Sequence, residues 1–214
     1  YAAIGNTVGD AEVWAWNGTS WSLVGGGPQS VNDSWAALTY EGVYSLTTDG
    51  TNLYAGLGAS TADGEVWRYD GTSWTKIGGD SMNGGWTNYV EYAWSLDYLN
   101  GILYAGIGTG ANDAAVWAWN GTNWTKIGGD SLNGGWTTNY EVTAGLTNDG
   151  TNLYAGMGVT AGDSEVWSWN GTSWTKIGGD SLNGSWDATI ETVRSLRYFG
   201  GTLYAGLGDT AGDA

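Results

Sequence analysis

Four tryptophans, Trp35, Trp86, Trp136 and Trp186, and four aspartates, Asp10, Asp63, Asp113 and Asp163, recur once per repeat along this 214-residue chain. An indole presents a flat apolar face that suits the C–H side of a sugar ring. Carboxylates and amides nearby would hold the hydroxyls. Glu12, Glu65 and Glu165 follow the aspartates, and Glu41, Glu91, Glu141 and Glu191 form a further repeated set. The glutamates of that set could ring a cation or accept backbone N–H groups, and pairing of buried polar groups favours the second. The chain holds no Cys and no His, which removes thiolate and imidazole nucleophiles and the usual transition-metal ligands. Twenty-two acidic against six basic residues give a net charge of −16, which opposes nucleic acid and anionic membrane surfaces as partners. The Asp-rich second-to-third loops could contribute to Ca²⁺ sites, but pairs such as Asn6/Asp10 or Asp209/Asp213 fall short of six to eight oxygen ligands. No cofactor is expected. Gly-Leu-Gly and Gly-Gly-Asp-Ser lack the Lys-Ser/Thr of a P-loop.

The spacing of these residues follows an internal repeat. Leu-Tyr-Ala-Gly-x-Gly begins at Leu53, Leu103, Leu153 and Leu203, and a shortened copy, Tyr1 to Gly5, opens the chain. Residues Thr125 to Gly134 are identical to Thr175 to Gly184. Within one unit, apolar runs separated by turn residues predict strands at Val43–Thr47, Leu53–Gly58, Glu65–Tyr69 and Ser73–Gly78. Asn17-Gly18, Asp70-Gly71, Asn120-Gly121 and Asn170-Gly171 predict type I′ hairpins, in which both central residues take positive φ. Four strands in about 50 residues, repeated, predict an all-β fold, a β-propeller of four-stranded blades. The units run approximately 1–42, 43–92, 93–142, 143–192 and 193–214, forming a single domain with the last unit completed by the N-terminal strands. That leaves one second strand surplus, so a five-bladed ring and a window on a longer array both stay open. Trp67, Trp117 and Trp167 would pack against the Ala-Gly-x-Gly strands of neighbouring blades. Opening at Tyr1 without an initiator Met or a basic-then-apolar stretch, the sequence reads as having a processed or excised end from which a signal peptide could have been lost, and no apolar run reaches membrane-spanning length. Asn17, Asn32, Asn120, Asn123, Asn170 and Asn183 lie in Asn-x-Ser/Thr sequons, and hairpin chemistry accounts for the Asn-Gly-Thr cases.

The run Val-Trp-x-Tyr/Trp-Asn/Asp-Gly-Thr-x-Trp, followed by paired glycines, resembles kelch-like propeller repeats. Trp-Thr-Lys-Ile-Gly, the later Trp136, and Asp149-Gly150-Thr-Asn-Leu-Tyr154-Ala are similar to the blade of tachylectin-2-type lectins. That second resemblance implies a five-bladed propeller binding N-acetylated sugars, with Asn32-Asp33-Ser34-Trp35 as a loose match to the lectins' acidic-Asn-Trp cluster.

Antiparallel order puts the fourth-to-first and second-to-third loops on one face. Sequence differences among the repeats concentrate there and on the first strand: Tyr44, Trp94, Ala144 and Arg194 share one equivalent position. The expected ligand-binding residues are therefore Trp35, Trp86, Trp136, Trp186, Asp63, Asp113, Asp163, Trp94 and Arg194. The reading is a non-enzymatic, extracellular or cell-surface module binding glycans at repeated shallow sites. The alternative is a structural or adhesive repeat making protein contacts, with self-association through the surplus strand. A glycosidase needs one asymmetric pair of acids, whereas most acids here have copies.

Overall fold

A computed structural model describes residues 1–36, 40–58, 64–87, 89–110, 113–137, 140–159 and 164–208. The chain divides into two compact units, Tyr1–Leu96 and Asp97–Ala214. The first contains a three-stranded antiparallel sheet of β1 (Ala2–Ile4), β2 (Glu12–Trp16) and β3 (Trp21–Gly26), with β2 central. A full blade follows: β4 (Gly42–Thr48), β5 (Leu53–Gly58), β6 (Glu65–Tyr69) and β7 (Trp74–Gly78), each paired to the next. Strand β8 (Tyr92–Leu99) carries the chain across the division. The second unit continues with β9 (Ile102–Gly108), β10 (Ala115–Trp119) and β11 (Trp124–Gly128). It then forms a complete blade of β12 (Thr143–Asn148), β13 (Leu153–Met157), β14 (Val166–Trp169) and β15 (Trp174–Gly178), and a two-stranded sheet of β16 (Val193–Phe199) and β17 (Thr202–Leu207). The predicted first blade matches the observed strands to within one residue at each end.

Blade packing explains the strand sequences. All six residues of β5 are buried, because both faces of a second strand are covered, so hydrophobic alternation disappears. The unit 1 core joins Val13, Trp35, Leu53, Ala55, Leu57 and Trp74. Unit 2 repeats it with Val116, Trp136, Leu153, Ala155, Met157 and Trp174. Glycine closes the approach of successive blades. Gly108 has φ +148, and a Cβ there would lie 2.0 Å from the Glu141 carbonyl oxygen. Gly158 repeats the contact at 2.1 Å from the Glu191 oxygen.

The hairpins differ from expectation in one respect. Gly18, Gly71, Gly121 and Gly171 take positive φ, but the preceding Asn or Asp does not. That residue instead caps the loop with its side chain: Asn17 Oδ1 accepts the N–H groups of Thr19 and Ser20, each at 2.9 Å. An Asx turn thus supplies the reversal, and only one residue must be left-handed. The first-to-second turns use the same device more heavily. Asp149 Oδ1 accepts from Thr151 and Asn152, and its Oδ2 from the Tyr154 hydroxyl. Slight burial pushes the Asp149 carboxyl up, but these donors outweigh it and bring the group from 3.8 down to about 2.

Two outcomes follow. Gly108→Ala should destabilise unit 2 by about 1–3 kcal/mol in urea denaturation, whereas Gly110→Ala, whose Cβ meets only Asp113 Oδ2 at 3.8 Å, should be near neutral; equal effects would refute the close-approach argument. A folded-state pKa below the unfolded one contributes stability that is complete above the unfolded value and is lost as pH falls through about 2. Asp149→Asn should therefore flatten the loss of stability on acidification, read as the urea midpoint against pH; a slope identical to wild type would count against it.

Candidate functional site

Trp35, Trp86 and Trp136 lie in the blade interiors, which corrects the expectation that these three serve as stacking platforms. Trp35, Trp86 and Trp136 are 1%, 3% and 1% exposed, and Trp186 is half-buried. Each indole N–H donates to a backbone carbonyl: Trp35 to Ala11 (2.9 Å), Trp86 to Gly64 (2.6 Å), Trp136 to Ala114 (2.8 Å) and Trp186 to Ser164 (2.7 Å). Trp35 and Trp136 each meet another indole in T-shaped geometry, Trp74 and Trp174 respectively, with centroids 5.1 Å apart in both pairs and interplanar angles of 71° and 70°. At Trp35 and Trp136, each 1% exposed, no ring face is left open to a sugar.

Short 3-10 turns at Val31–Asp33, Met82–Gly84, Leu132–Gly134 and Leu182–Gly184 precede the four tryptophans and set their direction. Ser81 N–H donates to the Trp86 carbonyl at 2.7 Å, and Asn83 Nδ2 to the Ile77 carbonyl at 3.0 Å.

The loop acids are also largely engaged. Asp63 and Asp163 lie outside the described residues. Asp113 Oδ2 accepts the Gly110 N–H at 3.3 Å, and Asp10 Oδ2 the Thr7 hydroxyl at 2.5 Å. Glu65, 3% exposed, accepts from the Tyr40 hydroxyl (2.6 Å), the Trp67 indole (2.7 Å) and Lys76. Glu165 repeats the pattern with Trp167 and Lys176. Burial pushes Lys76 down, but Asp80 and Glu65 outweigh it and hold the ammonium above its ordinary range. Among the described residues, no three acidic side chains converge as a metal-ligand set.

The position shared by Tyr44, Trp94, Ala144 and Arg194 behaves differently. The β4–β5 register breaks between Val43 and Ser45, leaving Tyr44 outside the ladder. The same break falls at Ala144 in β12 and at Arg194 in β16. A bulge of this kind re-aims a side chain. In unit 1, Tyr44 meets Tyr92 at 5.1 Å and Trp94 at 5.0 Å, both edge-on, while Tyr92 and Trp94 lie 4.7 Å apart. The Tyr92 hydroxyl donates to Glu41 Oε2 at 3.3 Å. Burial, then the Glu41 charge, pushes Tyr92 up to about 12, and the same two causes raise Tyr44. All four side chains are half-buried, offering ring edges, two phenolic hydroxyls and a carboxylate on one patch. Arg194 is exposed on β16 in the other unit. Sequence comparison among repeats found Trp94 and Tyr44 through their variability; Tyr92 and Glu41 become partners only once Gly58 pairs with Tyr92 across successive blades.

No protein-family model and no curated protein sequence matches this chain. Among solved structures, it is similar to the extracellular domain of a hybrid two-component system from B. thetaiotaomicron, with TM-score 0.58 and 13% identity over 94% of this chain and 23% of that one. The fold is a β-propeller's. Likeness at that identity speaks to fold alone, and neither kelch nor tachylectin-2 membership is shown. A Bacteroides ovatus xyloglucan PUL GH43B and a GH74 xyloglucanase from Xanthomonas campestris are also similar, at TM-scores of 0.44 and 0.45 and identities of 14% and 15%. They are covered over 34% and 22% of their lengths, and this chain over 75% and 69%. The chain thus spans about a third or less of each of these proteins.

Because the loop indoles are core, Trp136→Ala should cost about 3–5 kcal/mol of stability in chemical denaturation of the full chain. A loss below ~1 kcal/mol would mean that the ring is not integral to the blade.

Proposed function

We propose that this chain is a non-enzymatic carbohydrate-binding module of an extracellular protein, and that its contact patch is Glu41, Tyr44, Tyr92 and Trp94. The observation that carries the reading is the register break at Tyr44. The blades diverge mainly in their loops and first strands, and among the varying first-strand positions the one shared by Tyr44, Trp94, Ala144 and Arg194 is skipped by the ladder in β4, β12 and β16. Rings and hydroxyls on a rigid strand suit a neutral polyol, with C–H groups on the aromatics and sugar hydroxyls on Glu41 and the tyrosines. The charge of −16 disfavours anionic glycans. Absence of catalysis is part of the proposal: Glu65 and Glu165 are bound to lysine and indole donors, which holds them in the scaffold rather than free for acid–base work.

The extracellular setting is supported by the same chemistry and by the setting that the B. thetaiotaomicron neighbour's description names. No helix among the described residues is long and apolar enough to cross a membrane.

A glycan array probed with the intact chain should show binding to neutral glycans. Trp94→Ala and Tyr44→Ala should each weaken it roughly tenfold or more, on the scale of a buried aromatic contact, while the circular dichroism spectrum stays unchanged. Binding should stay flat from neutral to mildly alkaline pH, since both tyrosines keep their protons there. An intact fold that binds no glycan, or variants that bind as wild type does, would overturn the reading.

A further inference from the structure

The patch of Glu41, Tyr44, Tyr92 and Trp94 lies wholly within the first unit, and the charges placed on it are of one sign. The Tyr92 hydroxyl donates to Glu41 Oε2 at 3.3 Å, and Glu91 adjoins Tyr92 in the sequence. Burial first, then Glu41, with smaller pushes from Tyr44 and Glu91, carries the Tyr92 hydroxyl up to about 12. The phenol therefore stays neutral across the range in which both carboxylates are ionised. The basic residues of this unit are Arg68 and Lys76. Lys76 is bound to Glu65 and Asp80, and Arg68 stands on β6 beside the Asp70 turn.

The rings add to that field. The face of an aromatic ring is its negative side, and a cation within about 6 Å of the centroid is drawn to it. Tyr44, Tyr92 and Trp94 stand with centroids 4.7 to 5.1 Å apart. A cation held by Glu41, at the Tyr92 hydroxyl, thus sits at the margin of a three-ring cluster.

The second unit shows what replaces this set. At the matching repeat positions stand Glu141, Ala144, Thr192 and Arg194. The ladder skips Ala144 and Arg194 as it skips Tyr44, so the backbone setting is kept. The glutamates persist, the rings do not, and a guanidinium stands where Trp94 does. Alongside Glu141 and Glu191 the chain supplies a cation of its own. Alongside Glu41 and Glu91 it supplies aromatic rings, which attract one from outside.

We propose that the patch selects a sugar bearing a free, protonated amine over the same sugar carrying a hydroxyl or an acetamide at that carbon. The inference rests on the carbohydrate reading above and adds the charge of the ligand. An ammonium has three donors and no acceptor, so Glu41 takes one N–H directly while the ring faces meet the charge and the pyranose C–H groups. A hydroxyl keeps the hydrogen bond and loses the charge. An acetamide loses the charge and adds bulk.

Three β-1,4-linked tetrasaccharides that differ only at C2 test this on the full chain: glucosamine, N-acetylglucosamine and glucose. In calorimetry at a pH where the amine is protonated, the glucosamine oligomer should bind roughly tenfold tighter than the other two, on the scale of a surface ion pair plus an exposed cation–π contact. Raising the pH until the amine is neutral should erase that margin while the glucose oligomer binds as before, since Tyr92 keeps its proton up to about 12. Glu41→Gln should also erase most of the margin and barely affect the glucose oligomer. Glu141→Gln removes the same charge beside Ala144 and should change none of the three affinities. Circular dichroism checks the fold of both variants, and the pH series on wild type decides the question even where a variant fails to fold. Equal affinities for the three oligomers overturn the amine preference and leave the carbohydrate reading standing. A preference that survives deprotonation overturns it as well. So do equal losses in the two glutamine variants, because the net charge of −16 rather than the patch would then be drawing the cation. If none of the three binds, the amine preference falls, and an empty glycan array takes the carbohydrate reading with it.

Discussion

An indole laid against a glycine is the contact on which the rest of the fold depends. Trp74 against Gly25 and Trp174 against Gly128 leave no room for a Cβ, so each ring fixes a glycine one blade away. Burying a tryptophan removes about 150–250 Å² from water, worth roughly 4–6 kcal/mol before ordering costs at ~25 cal/mol per Å². The indole N–H would forfeit part of that gain if left unpaired, and the Val24 and Ile127 carbonyls prevent it. A glycine in a strand costs about 0.5–1 kcal/mol relative to alanine, so the exchange favours the pair. Abundant Gly and abundant Trp are therefore two halves of one requirement.

The loops are subordinate to that contact. For Trp86 and Trp136 to point inward, the chain must reverse tightly after the outer strand. It does so with Asp80, Ser81 and Asn83 at positive φ, and the same three positions repeat at 130, 131, 133 and at 180, 181, 183. Left-handed backbone costs a non-glycine residue about 1 kcal/mol or more. Asn and Asp tolerate it best, and the side-chain bond from Asn83 to the Ile77 carbonyl supplies part of the compensation. A chain that repeats such a turn nearly unchanged is preserving geometry, which leaves little freedom for ligand recognition there.

Strand identity and order were legible from the sequence because the repeat multiplies a weak signal: alternation fails on the buried second strands, yet turn residues return at every period. Hairpin positions were equally plain, although Asn-Gly reads as two left-handed residues when the asparagine side chain does part of the work. The tryptophan loops misled, since spacing says which residues recur but not which way a ring faces; burial of Trp35 and Trp136 follows from the 3-10 turns, which depend on single φ values. The acids misled for a related reason. Glu65 stands in a loop-proximal stretch, and only the fold brings Tyr40, Trp67 and Lys76 onto its oxygens. Tyr44 and Trp94 were visible through their variability, because a position that packing does not dictate is one where repeats drift apart.

This last point separates scaffold from surface. In duplicated blades, any residue that fills an interblade socket is held by two neighbours, so change there is penalised at both. The bulged position of the first strand touches the ladder on neither side: register skips Tyr44, Ala144 and Arg194 alike. A phenol, a methyl group and a guanidinium can therefore occupy it without disturbing the blade.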